Sequence, residues 1–147
     1  MKPPKALLAT PEATEHAFYE ALDHADLEGL MSLWADNEEI SCIHPGGPRL
    51  QGHNLIRASF AEVFANGAVH IRPSHVHVVQ GSLVTVHNLI ENILVQSPDG
   101  QKLVQVFATN VFHKTEKGWR LVLHHASPPL LNNEGKPQTE ALPTVLH

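Results

Sequence analysis

Apolar positions in the first half of this chain recur at helical spacing. Ala17, Phe18, Ala21, Leu22 and Ala25 follow one helical face. Thr10-Pro11-Glu12 is a helix start: a capping hydroxyl, a proline at the first position and an acid in the first turn. Asp26 can cap a second helix carrying Leu27, Leu30, Met31 and Trp34. Residues 40–44 read as a short strand ended by Pro45-Gly46-Gly47. Leu55, Ile56, Phe60, Val63 and Phe64 mark a third helix that stops at Asn66-Gly67.

The second half changes character. Residues 69–80 are rich in Val, Ile and His, and Gly81-Ser82 makes a turn. Residues 83–95 form a long β-branched run, followed by the hairpin signal "SPDGQ". Residues 103–114 and 119–126 are two further strands, separated by "TEKG". Helices first and an antiparallel meander afterwards predict an α+β fold, with helices packed on one face of a curved sheet. Residues 1–127 form the expected domain. Five prolines or glycines break up residues 128–147, an extended or mobile tail whose Leu130, Leu131, Leu142, Val145 and Leu146 can dock on a surface.

Composition narrows the function classes. The 147 residues suit one domain, and 42 % apolar residues suffice for a core. A net charge of −5, with only 10 Lys+Arg spread thinly, argues against nucleic acid. No apolar run approaches the ~18 residues of a membrane span, nor the roughly 7–15 of a secretory leader. Cys42 is the sole cysteine, which excludes an internal disulfide and fits a reducing cytoplasm. Histidine is the outlier, with 12 copies. It titrates near neutral pH and ligates metals.

Several polar residues sit where chemistry is conceivable. His44 closes the first strand, where its imidazole either bonds the adjacent turn or faces a pocket mouth. The neighbouring glycines serve backbone geometry, because no Gly-Lys-Ser/Thr follows to make a phosphate loop. His75-x-His77 has metal-like spacing on a strand, but two more ligands would have to come from His70, His87, His124 or His125. Val78-Val79-Gln80-Gly81 offers no acid after the pair, so a polar stripe on the outer face is favoured and no metal is expected. Cys42 shares a face with His44 and reads as a small buried residue. On the last strand, Trp119, Leu121, Leu123, His125 and Ser127 share the more apolar face, so His125 is expected inside and His124 outside. Asn88 and Asn92 share a face with Val84, Val86 and Ile90; Glu91 falls on the opposite one, where solvent is the commoner setting. Asn110 shares a face with Val106, Ala108 and Phe112 and needs a partner or ligand there.

The ordered set "AFYEALDHADLEGLMSLWAD" (17–36), "HPGGPRLQGHNLIRASF" (44–60) and "ATNVFHKTEKGWRLVLHHAS" (108–127) resembles the nuclear-transport-factor-2-like superfamily, in its SnoaL-like and ketosteroid-isomerase-like branches. The resemblance spans roughly residues 10–127. It implies a cystatin-like cone, in which three N-terminal helices close a strongly curved antiparallel sheet around a pocket. It also implies a homodimer paired through the outer sheet face. Ketosteroid isomerases keep an aspartate base where His44-Pro45 falls, and a carboxylic acid where Asn110 falls. Their tyrosine donor aligns with Phe18, and Tyr19 is one position off, ~100° round the helix and so expected to point elsewhere. A true steroid isomerase is therefore not expected.

The resulting expectation is a cytoplasmic homodimer that binds a small, largely apolar molecule. Phe18, Trp34, Asn88, Phe112 and His125 would line the pocket, with His44 as acid/base and Asn110 as polarising donor. Any chemistry would be cofactor-free, of isomerase, lyase or hydrolase type. The alternatives are a non-catalytic dimerisation or ligand-sensing module and a histidine-ligated metal enzyme. A cavity closed off by Phe18, Trp34 and Phe112 would remove the first.

Overall fold

A computed structural model describes residues 8–136 and 139–141. Helix α1 spans Pro11–Asp23, and Thr10 caps it by accepting the Ala13 amide at 3.0 Å. The short α2, Leu27–Met31, is capped by Asp26, which accepts the Gly29 amide at 2.9 Å. Strands β1 (Ser41–Ile43) and β2 (Arg49–Gln51) flank the proline-glycine turn, and α3 spans His53–Ala65. Gly52 opens α3 with φ +91°, and a Cβ there would lie 2.7 Å from Glu38 Oε1, so only glycine fits the entry. The long strands are β3 (Ile71–Gln80), β4 (Val84–Ser97), β5 (Gly100–Thr115) and β6 (Gly118–Ala126), with β7 at Thr139–Ala141.

These strands make one sheet in the order β2-β1-β6-β5-β4-β3, and β7 pairs with the first half of β5. β1 runs parallel to β6; the other pairings are antiparallel. The expected α+β order of helices and strands is found, with two further short strands, β2 and β7. The tail follows β5 backwards, with the Ser127 amide on Phe107 O and the Leu130 amide on Gln105 O. Of the expected docking residues, Leu131 is exposed, and Leu142, Val145 and Leu146 lie outside the described residues. Among the described residues no helix is long and apolar enough to cross a membrane.

The core lies between the helices and the inner sheet face. Phe18, Leu30, Trp34, Ile40, Ile56, Leu89, Phe112 and Leu121 are at most 1 % exposed. Burying one such side chain contributes about 2–3 kcal/mol.

Two β-bulges re-aim side chains. In the β5–β6 ladder, Val111 pairs with Leu123 but Phe112 pairs with Leu121, so Val122 is an extra residue. Before the bulge Trp119 and Leu121 face inward; after it His124 and Ala126 do. This corrects the expectation for the final strand: His125 is exposed and His124 is buried. Simple alternation from Trp119 fails because one inserted residue reverses every later side chain. In β3 the register shifts between Ser74 and His77, and His75 adopts φ +51°. Strict alternation therefore does not relate His75 to His77, and both are exposed.

Candidate functional site

The inner face of the sheet carries one cross-strand row of chemistry-bearing residues. His87 on β4 pairs with Asn110 on β5, Asn110 with His124 on β6, and His124 with Cys42 on β1. Helix α1 lies over this row. Glu12, Glu15 and Tyr19 are spaced i, i+3 and i+7, so they share one helical face. The buried stripe of α1 also includes Thr14, Phe18, Ala21 and Leu22.

Asn110 is the hub. Its Nδ2 donates to Glu15 Oε2 at 2.9 Å and to the Tyr19 hydroxyl at 3.2 Å. The Tyr19 hydroxyl in turn donates to Glu91 Oε2 at 2.7 Å. On the other side His124 Nδ1 donates to Asn110 Oδ1 at 2.6 Å. A carbonyl oxygen only accepts, so His124 carries its proton on Nδ1 and leaves Nε2 bare. That bare nitrogen lies 3.8 Å from Glu91 Oε2. Tyr19, Glu91, Asn110 and His124 are 6, 2, 1 and 5 % exposed, so the cluster is held away from bulk water.

Sheet curvature makes this contact. Glu91 is four residues along β4 from the His87–Asn110–His124 row. On a flat sheet that is about 13 Å along the strand and about 10 Å across it, beyond the combined reach of the two side chains. Only a sheet that curls around α1 brings them together.

Electrostatics pull the two partners apart. Burial, reinforced by the Glu15 charge, pushes Glu91 up to about 7, although the Tyr19 hydrogen bond works the other way. Burial pulls His124 down to about 3, helped by the nearby imidazoles of His44 and His125. At neutral pH His124 is a neutral acceptor and Glu91 is poised between acid and carboxylate. Burial, with Glu91 beside it, raises the Tyr19 hydroxyl as well.

A cavity of about 780 Å³ opens beside the cluster, between α1 and the strands β3 to β5. Tyr19, Ile71, Pro73, Leu94 and Leu103 supply apolar wall, and Arg72, Asn92 and Gln101 supply polar groups. Its size suits a small organic molecule. Tyr19 is the shared element: it lines the cavity and bonds the buried acid.

A family model, the SnoaL-like domain, matches residues 12–131. The chain belongs to the SnoaL-like family. Its fold is that of the nuclear-transport-factor-2-like superfamily. Among solved structures, a provisionally named dehydratase of that superfamily from Streptomyces avermitilis is 33 % identical. It covers 87 % of this chain and 99 % of its own length, with a TM-score of 0.73. A provisionally named calcium/calmodulin-dependent protein kinase type II association domain from Thiobacillus denitrificans is 32 % identical. There the coverage is 84 % and 98 %, with a TM-score of 0.76. A provisionally named aromatic ring hydroxylase from Novosphingobium aromaticivorans, 20 % identical over 88 % of this chain and 93 % of its own at a TM-score of 0.69, shares the fold. No curated protein matches the sequence.

Within this SnoaL-like domain the expected site residues separate. Asn110 is buried among polar partners. His44 is half-buried, its Nε2 donating to Ser59 Oγ at 3.0 Å while Ser59 donates to Ile56 O. Burial lowers its pKa, which leaves the ring neutral at pH 7. It does not bond Asn110. An aromatic stack of Phe60, Phe18 and His124 stands between them, with ring centroids 5.0, 6.2 and 4.9 Å apart from His44 onward. Cys42 is buried and its thiol is pushed up to about 12 by burial and then by Glu91, which makes it inert.

Four expected lining residues are corrected. Phe18, Trp34 and Phe112 fill the core and do not line the cavity. Asn88 is on the outer face, donating to Thr109 Oγ1 at 3.0 Å. The outer face of β4 carries Val84, Val86 and Ile90, so sharing a face with them does not place Asn88 inside. Tyr19, expected to point elsewhere, is buried together with Phe18. The covered stripe of α1 is wider than 100°, enough for two consecutive residues. Glu15, Glu91 and His124 were missed as site residues. Glu15 and Tyr19 at i, i+4 were a readable signal; the β6 bulge was not.

Proposed function

We propose that this SnoaL-like domain binds a small, largely apolar carbonyl compound and moves a proton on it without a cofactor, in an isomerisation or dehydration. One observation carries the reading: the Tyr19 hydroxyl joins the cavity wall to a buried acid, Glu91, that titrates at about 7. A general acid/base works best when its pKa is near the working pH. Through the Tyr19 hydroxyl that bonds it, the Glu91 carboxylate takes up a proton from the carbon beside the carbonyl: the Tyr19 oxygen receives it as the hydroxyl proton passes to Glu91. Once Glu91 is protonated, Tyr19 O–H is released from it and can donate to the developing oxyanion. The proton on Glu91 then returns to another carbon, or leaves with a departing hydroxide as water. The S. avermitilis relative bears a dehydratase name, which agrees with the second outcome. His44, neutral and fixed on Ser59, stands outside this proton path.

A second reading has its own observation. Phe18, Trp34 and Phe112 fill the interior that was expected to be a pocket, as they would in a non-catalytic dimerising module. Val79, Val84 and Phe107 stay exposed on the outer sheet face and support a homodimer under either reading. The single buried cysteine supports a cytoplasmic setting.

A panel of small cyclic ketones and β-hydroxy carbonyl compounds, assayed for binding and proton exchange with deuterated water, separates the two. The catalytic reading expects a bound compound whose exchange is lost in Glu91→Gln while binding persists. Exchange that is equal in wild type and Glu91→Gln, or no binding at all, overturns it in favour of the module.

A further inference from the structure

His87 is a buried titratable group that the proton path above does not use. It is 1 % exposed and sits in the Asn110–His124 row. Its Nδ1 is 3.0 Å from Glu15 Oε2 and its Nε2 is 3.3 Å from Glu12 Oε2. Neither contact is aligned as a hydrogen bond, so the attraction is one of charge. The imidazole thus bridges two carboxylates one turn apart on α1. From β5, Phe112 packs edge-on against it at 5.0 Å between ring centroids. Burial opposes a charge on this ring; the Glu15 and Glu12 carboxylates outweigh it, and the pKa lies above the ordinary imidazole value.

Glu15 connects His87 to the hub. The same oxygen that faces His87 accepts Asn110 Nδ2–H at 2.9 Å. With Glu15 Oε2 accepting, the amino end of Asn110 faces α1. The Asn110 carbonyl then faces β6 and accepts from His124 Nδ1. His124 is left with a bare Nε2 toward Glu91. His87 is the charge partner that holds Glu15 Oε2 in this place.

We propose that His87 is a positioning residue: by holding Glu15 Oε2 against the Asn110 amide nitrogen, it sets which end of the Asn110 amide faces which partner, and through Asn110 it sets the tautomer of His124. Its value to catalysis rests on the Glu91 reading above. The coupling from His87 to His124 does not, and it is measured without any substrate.

The test is nitrogen-15 and carbon-13 NMR of the histidine side chains in the full-length protein at pH 6. In wild type, His87 carries protons on both nitrogens and His124 on Nδ1 alone. His87→Gln removes the charge that holds Glu15, so Asn110 turns over and His124 shifts to the Nε2–H tautomer. His87→Lys restores the cation and the Nδ1–H tautomer. A neutral His87 in wild type, or a His124 that stays Nδ1–H in folded His87→Gln, overturns the proposal. If His87→Gln does not fold, the other two samples decide. A charged His87 in wild type with Nδ1–H His124 in His87→Lys supports the coupling, and loss of either overturns it. Glu91 exchange chemistry can fail while this coupling holds, and the reverse.

Discussion

The two faces of β4 invert the usual rule. The outer face shows Val84, Val86 and Ile90, while the inner face shows Thr85, His87 and Glu91, each no more than 2 % exposed. The outward-facing Asn88 makes local bonds, to Thr109 Oγ1 and to Ala108 O. Polar groups on the inner face form one connected network through Asn110. A connected buried network fixes side-chain orientation and costs several partners when one member is lost; an exposed pair does neither. That contrast separates a site from a surface here, and hydrophobicity alone does not.

The contrast can be broken from the inside first. Glu91→Gln keeps an acceptor for Tyr19 and removes the titrating proton. Any proton exchange that the protein catalyses should fall by about 10²–10⁴-fold with the fold intact, as exchange kinetics and circular dichroism would report. Asn110→Ala leaves Glu15, Tyr19 and His124 each short of a partner. At about 1–3 kcal/mol per orphaned buried group, the loss should be about 3 kcal/mol or more, read by urea unfolding.

pH sharpens the contrast further. Glu91 holds its proton in the folded state from its ordinary 4.5 up to about 7, so over that range its contribution to stability falls as pH rises. His124 is neutral when folded down to about 3, against an ordinary 6.5, so its contribution rises with pH between those values. Between 4.5 and 6.5 the two slopes cancel. Glu91→Gln leaves only the second, and its stability relative to wild type should gain about 1.4 kcal/mol per pH unit in that window. Urea midpoints at three pH values give the difference, and parallel curves would contradict it. The outer face should respond least. Asn88→Ala should change stability by less than about 0.5 kcal/mol. Phe107→Lys should leave the fold intact while shifting sedimentation toward monomer.

The fold was legible because each half has one period and clear punctuation: the Thr10-Pro11 and Asp26 caps, Asn66-Gly67, and "SPDGQ". The short β2 was missed because three residues carry too little pattern. Within the site, Asn110 was legible, since an amide on an apolar strand face demands a partner. His124 was not, because a single extra residue at Val122 reverses the strand phase without any sequence mark. Glu91 reads as a solvated residue because an acid on a strand more commonly faces water. Its contact with His124 depends on curvature, which no local window contains.

The central claim is that Glu91 is a buried acid poised near neutrality by its place under α1. A carbon-13 pH titration of the Glu91 carboxyl tests it directly, in wild type and in Tyr19→Phe. The wild-type midpoint should lie near 7, and a higher one is expected in Tyr19→Phe, where the hydrogen bond that favours the carboxylate is gone. A midpoint at the ordinary value of 4.5, unmoved by Tyr19→Phe, would contradict it.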